Sequence, residues 1–171
     1  KINIDGELNE FSQADAISFS DNSGRGNDDN TITIKVLYDD TNLYLGYIVK
    51  DTKLNAKFNS LTESFWEDDC IELFLDTLHN KTSTMDSDDH HYIITLNNLI
   101  SDSGRGTAGS IQYKILLNGT LNNDSDTDTG YTIELAISWS ILGVTPEAGY
   151  TLGADFCNAD KDGNDGYQYS D

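Results

Sequence analysis

The chain is poor in basic residues, proline, cysteine and long apolar runs. Lys and Arg number 10 against 30 Asp and Glu, so the formal net charge is −20. Nucleic acids and anionic membranes both require clustered basic residues, so neither is an expected partner. No run of about 18 apolar residues occurs, so no membrane-spanning helix is predicted. The two cysteines, Cys70 and Cys157, lie in apolar segments, and the sequence leaves open whether they pair or remain thiols.

Long helical periodicity is also absent, and short strand-like runs recur between clusters of Gly, Asn, Asp and Ser. The pattern predicts one all-β domain over residues 1–171, an antiparallel β-sandwich with jelly-roll or Greek-key connections. A hairpin turn is predicted at 39–42, and a short helical turn is an option at 138–143. The predicted strands are Ile2–Ile4, Ala16–Ser20, Thr31–Tyr38, Leu43–Val49, Ile71–Leu75, Tyr92–Asn97, Ile111–Leu117, Tyr131–Ile137 and Leu152–Asn158.

Aspartate dominates the acidic residues, with 23 Asp and only 7 Glu. Asp is a good turn residue, and its carboxylate is a common loop ligand for Ca²⁺. Asn158, Asp160 and Asp162 have the alternating spacing of a calcium loop, but Tyr169 stands where a complete EF-hand has its Glu. The segment is therefore either a looser calcium loop or a solvated turn.

The segment 65–76 carries the main indication of a binding site. Ile71, Leu73 and Leu75 alternate with polar and aromatic residues, so Glu72 shares the opposite face of a strand with Phe74 and lies close to Trp66. An indole ring can take the apolar face of a sugar while a fixed carboxylate accepts hydrogen bonds from its hydroxyls. The alternative is that the Trp merely covers the sheet edge and the Glu is solvated.

Two adjacent histidines, His90 and His91, begin a predicted strand after an acidic segment. Neighbours on a strand point to opposite faces, so the two cannot readily ligate one ion together. We expect His91 to lie near the binding face. No Ser-His-Asp order, metal-hydrolase motif or carboxylic acid with an evident catalytic environment occurs, so no enzyme activity is predicted.

An ordered set of motifs spans nearly the whole chain. It comprises Ile4-Asp5-Gly6-Glu7-Leu8, residues 35–51, Trp66 to Asp76, Gly130 to Trp139, and Gly153 with Asn158-Ala159-Asp160. The set resembles carbohydrate-binding module family 9. The resemblance implies a non-catalytic β-sandwich with calcium in structural loops, appended to a secreted bacterial enzyme that degrades plant cell walls. It also implies that a glucan or xylan is held by its reducing end between two Trp rings.

The resemblance assigns the first ring to Trp66 and a sugar-binding carboxylate to Glu72. The family's sugar-binding Arg falls on Ile93, and its second Trp has no counterpart, which leaves Tyr169 as a candidate for a second aromatic wall. The family's loop-bound calcium makes Glu7 and Asp51 further candidate ligands, beside Asn158, Asp160 and Asp162.

The sequence thus predicts an extracellular carbohydrate-binding module of a larger multidomain protein, with an oligo- or polysaccharide as its ligand and calcium as a structural ion. Two alternatives remain. The first is a spacer or docking module that has lost sugar binding, which the missing Arg and second Trp favour. The second is a haem-binding relative of the fold, which would use the single Met, Met85, with a nearby His as axial ligands.

Overall fold

The computed structural model describes residues 2–20, 30–103, 108, 110–162 and 167–170, the last four as backbone only. These residues form two sheets of five antiparallel strands each. The first sheet has the order β1-β2-β3-β8-β7 and the second the order β10-β9-β4-β5-β6. The strands are β1 (Ala16–Ser20), β2 (Thr31–Tyr38), β3 (Asn42–Lys50), β4 (Cys70–Asp76), β5 (Asp89–Thr95), β6 (Ile100–Asp102), β7 (Gln112–Leu117), β8 (Tyr131–Ser138), β9 (Gly153–Lys161) and β10 (Tyr167–Ser170).

The predicted all-β antiparallel sandwich is confirmed, and eight of the nine predicted strands are present. The exception is Ile2–Ile4, which forms no strand, because Ile2 and Ile4 pack by their side chains on the outside of the first sheet. The edge strands β6 and β10 were not predicted; each has only three or four residues, too few to show an alternation. No helix among the described residues is long and apolar enough to cross a bilayer.

Alternation along the strands builds the core between the two sheets. Ile71, Leu73 and Leu75 of β4 lie with Leu45 and Tyr47 of β3 in one buried cluster. The intervening residues of β4 therefore face away from the core. We call this side of the second sheet the outer face. It carries Cys70, Glu72, Phe74 and Asp76 of β4, with the corresponding residues of β5 and β9 beside them.

The segment 51–69, which connects β3 in the first sheet to β4 in the second, covers one end of the outer face. It contains a short 3-10 helix, Phe65–Glu67. Phe65 is buried there against Cys70, Ile93 and Ala159, one residue from each of three neighbouring strands. This small apolar cluster fixes the short helix, and with it Trp66, on the outer face.

The predicted hairpin turn at 39–42 is confirmed. The Asp39 carboxylate accepts hydrogen bonds from the backbone N–H of Thr41 and Asn42, at 2.7 and 2.8 Å, and from the hydroxyls of Thr41 and Tyr44. These donors hold the pKa of Asp39 far below its usual range. The segment at 138–143 closes as a hydrogen-bonded turn, in which Ile141 N–H donates to the carbonyl of Ser138.

A buried glutamate attaches the N-terminal segment to the outside of the first sheet. Oε2 of Glu134, on β8, accepts hydrogen bonds from the backbone N–H of Asp5 and Gly6, both at 2.9 Å. Gly6 has φ +88°, and a Cβ there would lie 2.6 Å from Leu116 Cγ, so the position requires glycine. Oε1 of Glu134 is buried without a hydrogen-bond partner among the described residues, and burial raises the pKa of this carboxyl.

Glu134→Gln is expected to change how stability depends on pH. Because the folded-state pKa exceeds the unfolded one, Glu134 contributes full stability below its unfolded pKa, about 4.3. This contribution falls as the pH rises through the folded pKa, and an amide cannot titrate. In thermal melts between pH 4 and 8, the melting temperature of the variant should therefore rise relative to that of the native protein as the pH rises. Exposed Glu147→Gln is the control; a constant difference between native and variant across the range contradicts the prediction.

Candidate functional site

The centre of the outer face holds a hydrogen-bonded carboxylate and imidazole. Nε2 of His91 lies 2.5 Å from Oε2 of Glu72, and both side chains are largely buried. The His91 ring stacks on Phe74, with ring centroids 3.9 Å apart and an interplanar angle of 15°. The stacking and the hydrogen bond together fix both polar side chains in one orientation. Such a fixed pair can donate and accept hydrogen bonds without losing much side-chain entropy.

Apolar groups surround this pair on the side toward segment 51–69. Glu72 lies opposite Ile93 on one neighbouring strand and opposite Cys157 on the other. Ile93 is 6% exposed and packs against Phe65, so the position where the family resemblance places an Arg is part of an apolar cluster. In this protein, the nitrogen-bearing side chain hydrogen-bonded to Glu72 is the imidazole of His91.

Trp66 lies at the rim of the outer face. Its ring contacts the Phe65 ring edge to face, with the ring centroids 5.4 Å apart, and its backbone carbonyl lies 3.8 Å from the Cys70 sulfur. The indole is 39% exposed, whereas Phe65 is 5% exposed. The structure therefore places Trp66, Glu72 and His91 on one face of the sheet. Tyr169 lies on β10 opposite Ala159, but its side chain is outside the described residues.

The other histidine of the pair faces the core, as the alternation predicts. Nδ1 of His90 lies 2.8 Å from Oδ2 of Asp102 and 3.1 Å from the Tyr92 hydroxyl. His90 is 3% exposed and stacks parallel to Tyr92. It is therefore a hydrogen-bonded part of the sandwich interior, and only His91 faces the candidate site.

A second group of polar residues, three buried aspartates, lies where β3, β4 and β9 end or begin. One carboxylate oxygen from each of Asp51, Asp69 and Asp160 lies within 4.8 Å of the other two. All three residues are at most 2% exposed. Asp51 follows β3, Asp69 precedes β4, and Asp160 is near the end of β9. Three buried carboxylates this close repel one another unless they are protonated or bind a cation.

The surroundings of these aspartates fit a hard cation such as Ca²⁺. Asp69 accepts hydrogen bonds from the backbone N–H of Asn55 and Lys161, at 2.5 and 2.6 Å. Burial, followed by the charge of Asp51, raises the pKa of Asp69 well above its usual range. The hydrogen bond from Asn55 acts in the opposite direction but is the smaller effect. The side-chain oxygen of Asn55 is buried without a hydrogen-bond partner in the described part of the chain. An all-oxygen set of carboxylates with a nearby amide is the donor chemistry that calcium prefers.

Two of the predicted metal ligands, Asp51 and Asp160, are brought together in this group. Asn158 lies on the same face of β9, but its amide is engaged by the Tyr131 hydroxyl and by Asn30, at 2.6 and 3.0 Å. Asp162 follows β9, and Glu7 is exposed on the N-terminal segment; neither belongs to a described group of metal-binding side chains. Asp69 was not predicted as a ligand, because no local sequence spacing relates it to Asp51 or Asp160.

Cys70 and Cys157 are not joined by a disulfide, which settles the question that the sequence left open. Both lie on the outer face, where Cys70 is opposite Ala159 and Cys157 is opposite Glu72. Cys70 is buried in the Phe65 cluster, and Cys157 is half-buried beside the candidate site.

Comparison with known proteins identifies the family. The model described as "Carbohydrate family 9 binding domain-like" matches residues 4–170. The chain belongs to carbohydrate-binding module family 9. Family 9 is a non-catalytic, carbohydrate-binding family, in agreement with the resemblance and with the prediction that the protein is not an enzyme.

Curated relatives are large enzymes that contain a family 9 module. The chain is 32% identical over 162 residues to exoglucanase XynX of Acetivibrio thermocellus, a match that covers 94% of this chain and 13% of that protein. It is 33% identical over 140 residues to endo-1,4-beta-xylanase A of Thermoanaerobacterium saccharolyticum, covering 81% of this chain and 11% of the relative. The chain therefore spans roughly an eighth of the length of these family 9 proteins.

Solved family 9 structures have the same fold. A family 9 module from Caldicellulosiruptor kristjanssonii in complex with cellotriose superposes with a TM-score of 0.78 at 24% identity, covering 99% of this chain and 77% of that one. A complex with glucose from the same organism gives a TM-score of 0.74 at 23% identity, covering 99% and 81%.

Proposed function

We propose that this family 9 module binds neutral glucan- or xylan-type oligosaccharides on the outer face of its second sheet. The observation that carries this assignment is the Glu72–His91 pair, held at 2.5 Å on the outer face at whose rim the exposed Trp66 lies. In the proposed site, Trp66 stacks on a pyranose ring. Glu72 accepts hydrogen bonds from sugar hydroxyls, and His91 orients that carboxylate.

The proposed site has one described aromatic wall. Burial of an aromatic surface and a stacking contact contribute on the order of 1–3 kcal/mol, and each net hydrogen bond contributes about 1 kcal/mol. Their sum, after the cost of association, corresponds to a Kd near 1 mM. An aromatic contributed by Tyr169 would add a second wall and tighten binding.

We further propose that Asp51, Asp69 and Asp160 hold a structural calcium ion, with Asn55 as a supplementary ligand. The support is the pairwise separation of the three carboxylate oxygens, within 4.8 Å, together with their burial. A divalent cation supplies the positive charge that three buried carboxylates need at neutral pH. The ion has no proposed contact with sugar.

We propose, from the relatives, that the module acts as part of a larger secreted bacterial enzyme that degrades plant cell walls. The matched relatives are named as an exoglucanase and a xylanase, and in each the matching region is a small share of the protein. A binding module in such an enzyme would keep the catalytic part close to an insoluble polysaccharide through a raised effective concentration. This role requires only weak intrinsic affinity.

Glu72→Gln is expected to weaken sugar binding at least tenfold. The amide keeps the shape of the side chain but loses the charged acceptor and the charge-assisted hydrogen bond with His91, worth about 1.5–3 kcal/mol. Intrinsic Trp fluorescence would be titrated with cellobiose and xylobiose, and with their reduced alditols to test reducing-end recognition. Glu67→Gln, in the same short helix as Trp66, is the matched control and should bind as the native protein does.

The titration also separates the proposal from its main alternative. If the native protein responds to none of these sugars up to tens of millimolar, the module is a spacer or docking domain. If Glu72→Gln binds as tightly as the control variant, sugar binding lies elsewhere on the molecule.

A further inference from the structure

A cavity of about 390 Å³ lies on the outer face beyond the Glu72–His91 pair. Its floor is formed by the ends of β4, β5 and β9, from which Phe74, Asp76, Asp89 and Asp155 contribute. Its far wall is the loop segment 82–85 between β4 and β5. This cavity could not be predicted from the sequence, because its wall comes from a polar loop without periodicity.

The loop is held over the outer face by hydrogen bonds to the end of β4. The Asp76 carboxylate accepts the backbone N–H of Asn80 and Lys81, at 3.1 and 3.0 Å. These donors lower the pKa of Asp76, which therefore carries its charge across the neutral range. The carbonyl of Thr77 also accepts the Tyr150 hydroxyl at 2.5 Å. Thr82, the first residue of the wall, is attached to this anchored segment because its N–H donates to the Asn80 side-chain oxygen at 3.2 Å.

The cavity is continuous with the proposed sugar site through Phe74. This residue lines the cavity and also stacks on His91, whose Nε2 is hydrogen-bonded to Glu72. Phe74 lies two residues beyond Glu72 on the same face of β4, about 7 Å further along the strand. That advance is comparable to the length of one sugar unit in a β-linked chain.

The chemistry of the lining selects for hydroxyl groups. Asp76, Asp89 and Asp155 offer carboxylate oxygens, and Ser83 and Thr84 offer hydroxyls, whereas the Thr82 hydroxyl already donates to the Thr84 carbonyl at 2.9 Å. None of the described residues lining the cavity is Lys or Arg. The site therefore provides acceptors for the hydroxyls of a neutral sugar, and it repels a sugar that carries a carboxylate.

We infer that this cavity is a second sugar subsite, which takes the units of a neutral β-linked chain that continue past Phe74. The inference rests on the proposed sugar site at Trp66 and Glu72 and extends it along β4. It assigns the loop segment 82–85 to ligand binding, and it makes the module selective for unsubstituted chains over chains bearing uronic acids.

The test compares a short and a long oligosaccharide by isothermal titration calorimetry. The native protein should bind cellotetraose about tenfold more tightly than cellobiose, the equivalent of one or two net hydrogen bonds. Thr84→Trp fills the cavity from its exposed wall and should abolish this gain while leaving the affinity for cellobiose unchanged. Thr120→Trp, an exposed loop position of the first sheet, is the matched control and should retain the gain.

A second variant and a second ligand make the outcome specific. Asp155→Ala removes one acceptor without adding bulk and should reduce the gain several-fold. A xylo-oligosaccharide that bears glucuronic acid should show no gain over xylobiose. If the native protein binds cellobiose but shows no gain with chain length, or if Thr84→Trp keeps the gain, the subsite is overturned while the proposed function stands. If the native protein binds neither sugar, both are overturned.

Discussion

Trp66→Ala is expected to reduce the affinity for cellobiose below detection while leaving the protein folded. The indole is the exposed aromatic of the candidate site, and stacking with burial supplies on the order of 1–3 kcal/mol. For a site whose Kd is near 1 mM, that loss moves the Kd beyond the concentrations that can be titrated. Calorimetric titration, with the melting temperature as the test of folding, measures both quantities.

Two control variants separate the binding role of Trp66 from a packing role. Tyr38→Ala removes an aromatic that is 73% exposed on the first sheet, and it should change neither binding nor melting. Phe65→Ala removes a buried ring from the cluster with Cys70 and Ile93, and it should cost about 3–5 kcal/mol of stability. If Trp66→Ala resembles Phe65→Ala by unfolding the protein, the indole is a core residue and the proposed site loses its platform.

Chelation is the second change with a large expected effect. Excess EDTA should lower the melting temperature by about 5–10 °C, since an ion present at 100 times its Kd stabilises the folded state by about 2.7 kcal/mol. Asp51→Asn should lose most of this response, because the variant keeps an acceptor for the Lys53 N–H but loses one carboxylate of the group. Exposed Asp15→Asn is the control. A native melting curve unaltered by EDTA contradicts the calcium proposal.

The same aspartates predict a pH dependence that appears only in the chelated protein. The pKa of Asp69 is raised by burial and by the charge of Asp51, so the ion-free protein binds more protons folded than unfolded. Its stability is therefore full below the unfolded pKa of Asp69, about 3.9, and falls as the pH rises through the folded pKa. Added calcium should flatten this decline, because the cation stabilises the deprotonated carboxylates. An equal slope with and without calcium would count against an ion at this site.

The fold could be predicted where one face of a strand is buried and the other is not. Period-two alternation placed Ile71, Leu73 and Leu75 in the core and assigned His90 and His91 to opposite faces, and the structure agrees with both. Ile2–Ile4 shows how the same signal fails. Apolar residues at alternate positions can also be buried when an extended segment lies on a sheet without pairing to one of its strands, as Ile2 and Ile4 do.

The buried aspartates could be predicted only in part. Asp51, Asp69 and Asp160 come from three separate segments, and no local spacing relates them. Asn158, Asp160 and Asp162 have the spacing of a contiguous calcium loop, but the side-chain amide of Asn158 is engaged by the Tyr131 hydroxyl and by Asn30. Only the pairing of β4 with β9 brings Asp160 beside Asp69, so the group depends on topology rather than on sequence spacing.

Hydrogen bonds hold the segment 51–69 near the two strands that it connects, and exposed residues lie in its middle. The Asp69 N–H donates to the Asn55 carbonyl, and the Asn55 N–H donates to the Asp69 carboxylate. The Phe58 N–H donates to the Asp68 carboxylate at 2.8 Å. The exposed residues Asn59, Thr62 and Glu63 can therefore be exchanged without disturbing the strands on either side, whereas Phe65 must be kept. This is the arrangement of an antibody loop on its framework. The module is consequently a scaffold for protein engineering, in which variants with different aromatic residues at exposed positions of segment 51–69 could be selected for binding to new sugars.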